Sequence, residues 1–316
     1  MSTKEKLLTL LEARKGEYLS GEEIASALSL SRASVWKAVS ALRKAGYAIE
    51  AATNRGYCLN PDTDMLSVPG IRGYLEGEDL DITLLPEARS TNDLLRQQAE
   101  EGAPEGTVLF ALGQSAGKGR SGREFFSPPD TGLYFSVLLR PEMGSQSITT
   151  MAAAAMCQSL EALGADRPGI KWVNDLFVRG KKVCGILTEG AFSMEEGRLR
   201  YAVLGVGLNL YAPAGGFPDN LADIAGPAFD RKIPDLKNRL AAEFLNRFFR
   251  YYRGEGDWGT VYRDRSLALG REVEVLSGDS SRKALVLGID DSCRLLVRYE
   301  NGETACLSYG EIRIRL

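Results

Sequence analysis

Gln114-Ser115-Ala116-Gly117-Lys118-Gly119-Arg120-Ser121-Gly122-Arg123, running on into Phe125-Phe126-Ser127-Pro128-Pro129, gathers glycines and cations into one short stretch. Glycine lets the backbone take positive φ and approach a ligand closely, and Lys118, Arg120 and Arg123 supply positive charge, so the segment suits an anion and reads as a closing loop. Two nucleotide-binding folds compete for it. Gly117-Lys118-Gly119-Arg120-Ser121-Gly122 has the letters of the dinucleotide fingerprint, but that motif must open a helix, and Ser127-Pro128-Pro129 with no helical period follows. A Walker A loop needs four residues before its Gly-Lys pair and Ser or Thr after it; here three residues separate Gly113 from Gly117, and Gly119 follows the lysine. Both folds are excluded. A basic solvated turn is the bland alternative, and the loop alone does not separate it from a ligand clamp.

The chain has 316 residues, enough for two or three domains, with 44% hydrophobic residues and a formal charge of −3. Its first 60 residues carry nine Lys/Arg against six Asp/Glu, which leaves 30 against 36 for the rest. A basic module precedes an acidic body. The start, Met1-Ser2-Thr3-Lys4-Glu5, lacks a signal peptide's apolar core, and no apolar run of about 18 residues occurs, so a cytoplasmic protein with no membrane role is expected. Cys58, Cys157, Cys184, Cys293 and Cys306 form no Cys-x-x-Cys pair and read as buried apolar residues, not as a metal or disulfide framework. The chain contains no histidine, which excludes Ser-His-Asp and Cys-His hydrolysis, His-bound zinc and a His general base. Chemistry must rest on Lys, Arg, Asp, Glu and backbone amides, with or without a divalent metal.

Along the chain, residues 3–15 show a helical apolar stripe. Ser20-Gly21-Glu22-Glu23 is a capping box for a second helix through Leu28, and Ser31 opens a third that stops at Gly46. The tight link Leu28-Ser29-Leu30-Ser31 makes a helix-turn-helix. Residues 47–50 and 56–59 then read as a hairpin around Thr53-Asn54-Arg55, a wing. Ser31, Arg32, Ser34 and Lys37, with Arg55 on the wing, are the candidate DNA contacts; Arg43 and Lys44 also lie off the apolar stripe. Residues 60–64 break the pattern as a linker.

Beyond the linker the sequence predicts a helix over 68–77, a strand at 81–85 and a helix capped by Ser90 or Thr91. Strands are expected at 107–111 and 132–139, with an alanine-rich buried helix over 147–164. Capping alone explains Ser90-Thr91-Asn92, although polar groups and free amides at a helix start also suit a carbonyl or carboxylate. Residues 169–178 read as one strand interrupted by Lys171, Asn174 and Asp175, polar groups that cost free energy in a sheet core unless they are paired or face a ligand. Lys182 stands at the mouth of the next apolar strand, and a turn at Glu195-Glu196-Gly197 leads to the strand 201–210, which Asn209 ends. Amphipathic helices over 235–252 and 257–269 precede short strands separated by Ser277-Gly278-Asp279, Asp290-Asp291-Ser292 and Asn301-Gly302. That spacing predicts a small antiparallel barrel.

Ser90-Thr91-Asn92, Gln114 with Gly117–Arg123, Lys171-Trp172-Val173-Asn174-Asp175-Leu176, Lys182-Val183-Cys184-Gly185-Ile186-Leu187 and Gly205-Val206-Gly207-Leu208-Asn209 together resemble, in order, the motifs of the biotin-protein ligase family. With a winged helix in front, the chain resembles the bifunctional form that is also a biotin operon repressor. The resemblance implies a multidomain α+β fold: a winged helix-turn-helix over 1–60, a linker over 61–67, a class II synthetase-like mixed sheet with helices over 68–267, and an SH3-like β-barrel over 268–316. It implies that biotin's carboxylate attacks the α-phosphate of ATP, with Mg2+ on the phosphates, and that the resulting biotinyl-5'-AMP acylates a lysine of biotin carboxyl carrier protein. By motif position Lys182 and Arg120 are the catalytic residues, and Ser90, Thr91, Asn92, Gln114, Lys118, Gly119, Arg120 and Lys182 bind biotin. Arg123, Trp172, Asn174, Asp175 and Asn209 line the nucleotide side, and no residue is assigned as a protein metal ligand.

The resemblance also implies a ligand-promoted homodimer on operator DNA. Lys118 and Ser121 stand where the loop often has arginines and Val173 where proline is common; Lys118 keeps charge without the bidentate fork. A lipoate-type ligase, a non-catalytic ligand-sensing regulator and, more remotely, an interaction protein are the competing readings. The basic loop with its winged helix argues against the first, and Asn92, Arg120 and Lys182 argue against the second.

Overall fold

Serine caps open the first three helices of a unit formed by residues 1–78 with 231–245. Ser2 and Ser20 each complete a capping box, with Glu5 and Glu23, for α1 (Thr3–Ala13) and α2 (Gly21–Leu28), and Ser31 accepts from the Ser34 amide to start α3 (Arg32–Lys44). Leu7, Leu11, Ile24, Val35, Val39 and Leu42 fall on the inward stripes and form one core with Ile49 and Leu59 of the hairpin β1 (Ile49–Ala52) and β2 (Gly56–Leu59). Ser29 takes φ 54° in the turn between α2 and α3. The described residues, in this computed structural model, are 2–77, 79–141, 145–193, 195, 197–277, 280–308 and 311–314.

The helix expected over 68–77 is the five-residue α4 (Val68–Arg72), because Pro69 and Gly70 give it little propensity beyond its Ser67 cap. Lys15 is tied to Asp235 at 2.8 Å and to Glu12 at 3.1 Å, while Asn238 donates to Asp235 and to the Met65 carbonyl. These charges are nearly enclosed and mutually paired, as buried ions must be.

The second unit comprises residues 79–230 with 246–316. Its elements follow as β3 (Asp81–Leu85), α5 (Thr91–Glu100), β4 (Thr107–Ala111), β5 (Gly132–Leu139), α6 (Ser145–Ala162), β6 (Gly169–Lys171), β7 (Asp175–Val178), β8 (Lys181–Ser193), β9 (Arg198–Asn209), α7 (Asp219–Ala222), the part of α8 (Leu236–Tyr252) from Asn246 onward, and α9 (Trp258–Asp264). The seven strands form one sheet in the order β3-β4-β5-β9-β8-β7-β6, with β3 and β4 parallel and the rest antiparallel. Every residue of β5 is buried, and Ala152, Ala153, Ala154 and Ala155 of α6 are fully buried, as expected of a structural helix.

Residues 169–178 are not one strand but the tight hairpin β6–β7, with Trp172-Val173-Asn174 at its tip. The helix expected over 257–269 ends at Asp264, because residues 265–267 instead run beside β6, Ile170 donating to the Arg265 carbonyl and Leu267 to that of Ile170.

The C-terminal strands β10 (Glu272–Ser277), β11 (Ser280–Ile289), β12 (Leu295–Tyr299), β13 (Thr304–Leu307) and β14 (Glu311–Arg313) pair antiparallel in the order β13-β12-β11-β10-β14. The expected antiparallel sheet is present. Among the described residues no pairing joins β13 to β14, so a closed barrel is not established. The turns expected at 195–197 and 277–279 lie partly outside the described residues. Four cysteines are buried as expected, but Cys306 is exposed on the short outer strand β13. No helix among the described residues is long and apolar enough to cross a membrane.

Candidate active site

The cleft is built where the start of α5 meets the middle of the sheet. Ser90 caps α5 through the Asp93 amide, which leaves the two residues behind it free to turn inward. Thr91 donates to Gln114 Oε1 from its backbone N–H at 2.9 Å and from Oγ1 at 3.2 Å, and Gln114 Nε2 donates to Ser127 Oγ at 3.1 Å. Asn92 Nδ2 donates to Glu189 Oε2 at 2.8 Å. Beneath both lies Ser136, fully buried in β5, whose hydroxyl is shared between Thr91 Oγ1 at 2.8 Å and Asn92 Oδ1 at 2.6 Å. Capping therefore accounts for Ser90 alone. Thr91, Asn92 and Gln114 belong to a polar network held in the interior by its own hydrogen bonds.

Gly205 and Gly207 face this network from β9, with Gly185 paired to Gly207 from β8. A Cβ at Gly205 would lie 2.2 Å from Asn92 Oδ1, and one at Gly207 would lie 2.6 Å from the Phe125 ring, so neither position admits a side chain. What the glycines admit is Asn92 and Phe125. The resulting cleft is lined by Ser90, Thr91, Asn92, Gln114, Lys118 and Phe125, with Phe135, Leu187 and the three glycines. It has an apolar floor and a polar rim, the usual make-up of a small-molecule site.

The basic loop folds over this opening. Gln114 pairs with Ser127, the Phe125 amide donates to the Gly117 carbonyl, and Lys118 bridges with Glu124, so the segment doubles back on itself. Its tip is a short turn at Arg120–Gly122, with Ser121 at φ 57°. The dinucleotide fingerprint requires a helix opening here, and only this three-residue turn forms.

Each charged group at the rim has a partner. Lys118 Nζ lies 2.5 Å from Asp93 Oδ1, and Arg120 Nη1 donates to Asn174 Oδ1 at 3.2 Å. Asn174 is held to Ile186 through its side chain and its backbone, which ties the β6–β7 tip to β8. Lys182 Nζ stands 2.7 Å from Asp175 Oδ1, which is buried and accepts no well-aligned hydrogen bond. The Lys182 backbone is fixed by exchange with Ile224 and Gly226. Burial raises the Cys184 thiol beyond its usual range, against the opposing pull of Lys182, so it is no nucleophile.

Magnitudes separate the two layers of this site. The Lys118–Asp93 pair is partly exposed, with Lys118 at 41%, and such pairs contribute at most about 1 kcal/mol, so an incoming anion can displace it. The Ser136 set is buried, where an orphaned group costs about 1–3 kcal/mol. The rim can rearrange; the buried network cannot do so cheaply.

Of the residues anticipated from sequence, the cleft brings together Ser90, Thr91, Asn92, Gln114 and Lys118, with Arg120, Asn174, Asp175 and Lys182 in ion pairs or hydrogen bonds beside it. Gly119 lies in the loop, its amide donating to the Arg123 carbonyl, and Arg123 is exposed. Asn209 is buried at the end of β9, next in the row that holds Gly205 and Gly207. Trp172 is buried, and its indole donates to the Cys293 carbonyl at 3.0 Å rather than into the cleft. Ser136, Glu189, Phe125 and Ser127 were not anticipated as site residues. A lone serine within the apolar run 132–139 was the available signal for the first.

On the helix-turn-helix, Ser31, Arg32 and Lys37 are exposed and Ser34 is half-buried, its hydroxyl bonded to that of Ser31. Arg43 does not face outward as a free donor; its Nε donates to the Ile49 carbonyl at 2.7 Å and joins α3 to the wing. Arg55 stacks over the Tyr18 ring at 3.9 Å.

Comparison with known proteins places this geometry. Residues 84–209 match the biotin/lipoate A/B protein ligase family, residues 3–58 an HTH domain, and residues 268–315 the biotin protein ligase C terminal domain. The chain is 34% identical to the bifunctional ligase/repressor BirA of Bacillus spizizenii, over 94% of each chain. It is also 34% identical to the bifunctional ligase/repressor BirA of Escherichia coli, over 98% of this chain and 96% of that one. Among solved structures it is similar to the biotin protein ligase of Aquifex aeolicus in complex with biotin and ATP, at 25% identity and a TM-score of 0.61, over 74% of this chain and 98% of that one.

Proposed function

The chain belongs to the biotin/lipoate A/B protein ligase family, in its bifunctional ligase/repressor form, and on that premise we propose how its own residues carry the two activities. It is a biotin-protein ligase with an N-terminal helix-turn-helix DNA-binding domain. The observation that carries the assignment of the site is the joining of Thr91, Asn92, Gln114 and Ser136 into one hydrogen-bonded wall above a glycine floor, a few residues from the Lys182–Asp175 pair.

Biotin's polar ring binds against Ser90, Thr91, Asn92 and Gln114, whose donors and acceptors are already oriented, and its apolar chain lies along the glycine floor beside Phe125. Its carboxylate then points toward Lys182. Attack of a carboxylate oxygen on the α-phosphorus of ATP forms the acyl–phosphate bond and breaks the bond to pyrophosphate. Two anions must meet for this, and Lys182, with Arg120 from the loop, offsets their repulsion and the charge that develops. In the second step the amine of the carrier protein's lysine attacks the acyl carbon, AMP leaves with the electron pair, and an amide remains.

Arg123, Asn174, Asp175 and Asn209 line the nucleotide side, with Gly119 allowing the loop to close and Trp172 supporting that side from beneath. Asp175 fits a magnesium ion carried by the phosphates, since Mg2+ usually takes one or two carboxylates and completes its shell with phosphate and water; bound there, it would neutralise phosphate charge. A mixed anhydride is lost to hydrolysis in open water, which gives closure of the loop over it a physical purpose.

Residues 1–60 act as the DNA-binding domain, 61–67 as a linker, 68–267 as the ligase domain and 268–316 as the C-terminal domain, in a cytoplasmic protein. Ligand binding favours a homodimer whose paired winged helices span two operator half-sites, and biotin carboxyl carrier protein is the acceptor. Exchange of labelled pyrophosphate into ATP tests the first step. It should require biotin and fail with lipoate; exchange driven by lipoate, or none with either acid, would overturn the assignment.

A further inference from the structure

The outward face of α3 carries a feature that neither folding nor the ligase reaction uses. Trp36 is 62% exposed, the largest exposure among the described large apolar side chains. The opposite face of the same helix, Val35, Ala38, Val39 and Leu42, is buried in the winged-helix core, so Trp36 contributes no packing there. Helical spacing puts Arg32, Ala33, Trp36 and Lys37 on one side, and all four are exposed. Ala33 is small and leaves the indole clear to meet a partner. Holding a tryptophan in water forgoes roughly 1.5–3 kcal/mol of burial, and this free energy becomes available when a surface covers it.

The cations beside it select the partner. Arg32 and Lys37 stand one turn before and one residue after Trp36 on the helix, and Lys44 extends the same charge about two turns beyond, so the surface that covers Trp36 is anionic at its edges and apolar at its centre. The major groove of duplex DNA has that pattern wherever a thymine lies between two phosphate rows, since the thymine C5-methyl is the apolar group on a base edge there. In a helix-turn-helix the first turns of the second helix face the base edges, and Trp36 sits in the second turn of α3. We propose that Trp36 is a specificity-determining residue of this chain, reading a thymine methyl in the operator while Arg32 and Lys37 hold the flanking phosphates. The inference rests on the DNA-binding reading of residues 1–60.

The test uses the full chain with biotin and ATP. Duplexes are selected from a random library, and affinity for a selected and an unselected duplex is measured by fluorescence anisotropy at several salt concentrations. Trp36→Ala should weaken binding to the selected duplex about tenfold, the usual scale of one lost base contact, and leave the unselected duplex and the salt slope at wild-type values. Lys37→Ala should weaken both duplexes alike and lower the slope. Replacing thymines one at a time by deoxyuridine should identify one position that costs the wild type as much as Trp36→Ala does and costs the variant nothing further. Circular dichroism checks that the variant is folded, which its exposed position favours. Equal loss of Trp36→Ala on both duplexes, or no loss on the selected one, overturns the role of Trp36 and leaves DNA binding intact. If the wild type enriches no sequence, the DNA-binding reading itself fails and the inference with it.

Discussion

Ser136 shows how a single hydroxyl organises a binding wall. It is fully buried in a strand that otherwise runs apolar, and its proton is shared between Thr91 and Asn92, which fixes the acceptors of the proposed biotin wall. Ser136→Ala keeps the volume and removes the donor, leaving Asn92 Oδ1 short of a partner at a cost of about 1–3 kcal/mol. The variant should raise KM for biotin by roughly 5- to 150-fold while KM for ATP and kcat change little, and Ser136→Thr should restore part of the loss. Steady-state kinetics with each substrate varied separates this from a general loss of structure, which would lower kcat as well. Sequence alone singled out Asn92 and Gln114 because polar residues in motif order stand out. Ser136 and Glu189 escaped because their meaning comes from pairing across the sheet, which local sequence does not contain.

The loop and the strands beneath it are two elements with different tolerances. Gly185 and Gly207 give Phe125 its seat, and the Lys118–Asp93 and Arg120–Asn174 contacts hold the loop only lightly at the rim. Removing Arg120 should therefore open the loop without disturbing the floor. Arg120→Gly is expected to release biotinyl-5'-AMP, so that bystander proteins gain biotin on exposed lysines; blotting for biotin against wild type reads this out, and no increase would count against a lid.

The loop's lack of a following helix was legible from Pro128 and Pro129. The helix-turn-helix was legible too, because Ser20, Glu23 and Ser31 are strong caps with clean apolar stripes between them. The β6–β7 hairpin was not: Trp172-Val173 is β-favouring and only Asn174 marks a turn, so ten residues read as one strand. The truncation of α9 was hidden for a similar reason, since residues 265–267 leave the helix to pair with Ile170, a partner nearly a hundred positions away in sequence.

Across the whole molecule, the β6–β7 tip, the proposed nucleotide side, is held in part from the C-terminal sheet, because the turn before β12 supplies the Cys293 carbonyl that anchors Trp172, and Tyr262 of α9 donates to the Val173 carbonyl. The site thus depends on residues from Ser90 to Cys293 in one folded unit. On the proposed function, occupancy of this one site serves both activities: it activates biotin for transfer, and it favours the dimer that binds the operator. A ligand can shift such an equilibrium only by its differential affinity for the two states, typically about 1–3 kcal/mol of coupling. The most direct measurement is a gel shift with the DNA upstream of the source organism's own biotin-synthesis genes, titrated with the full chain in the presence and absence of biotin and ATP. Binding should tighten about 5- to 150-fold when both are present, and operator affinity that is unchanged by biotin and ATP would contradict the claim.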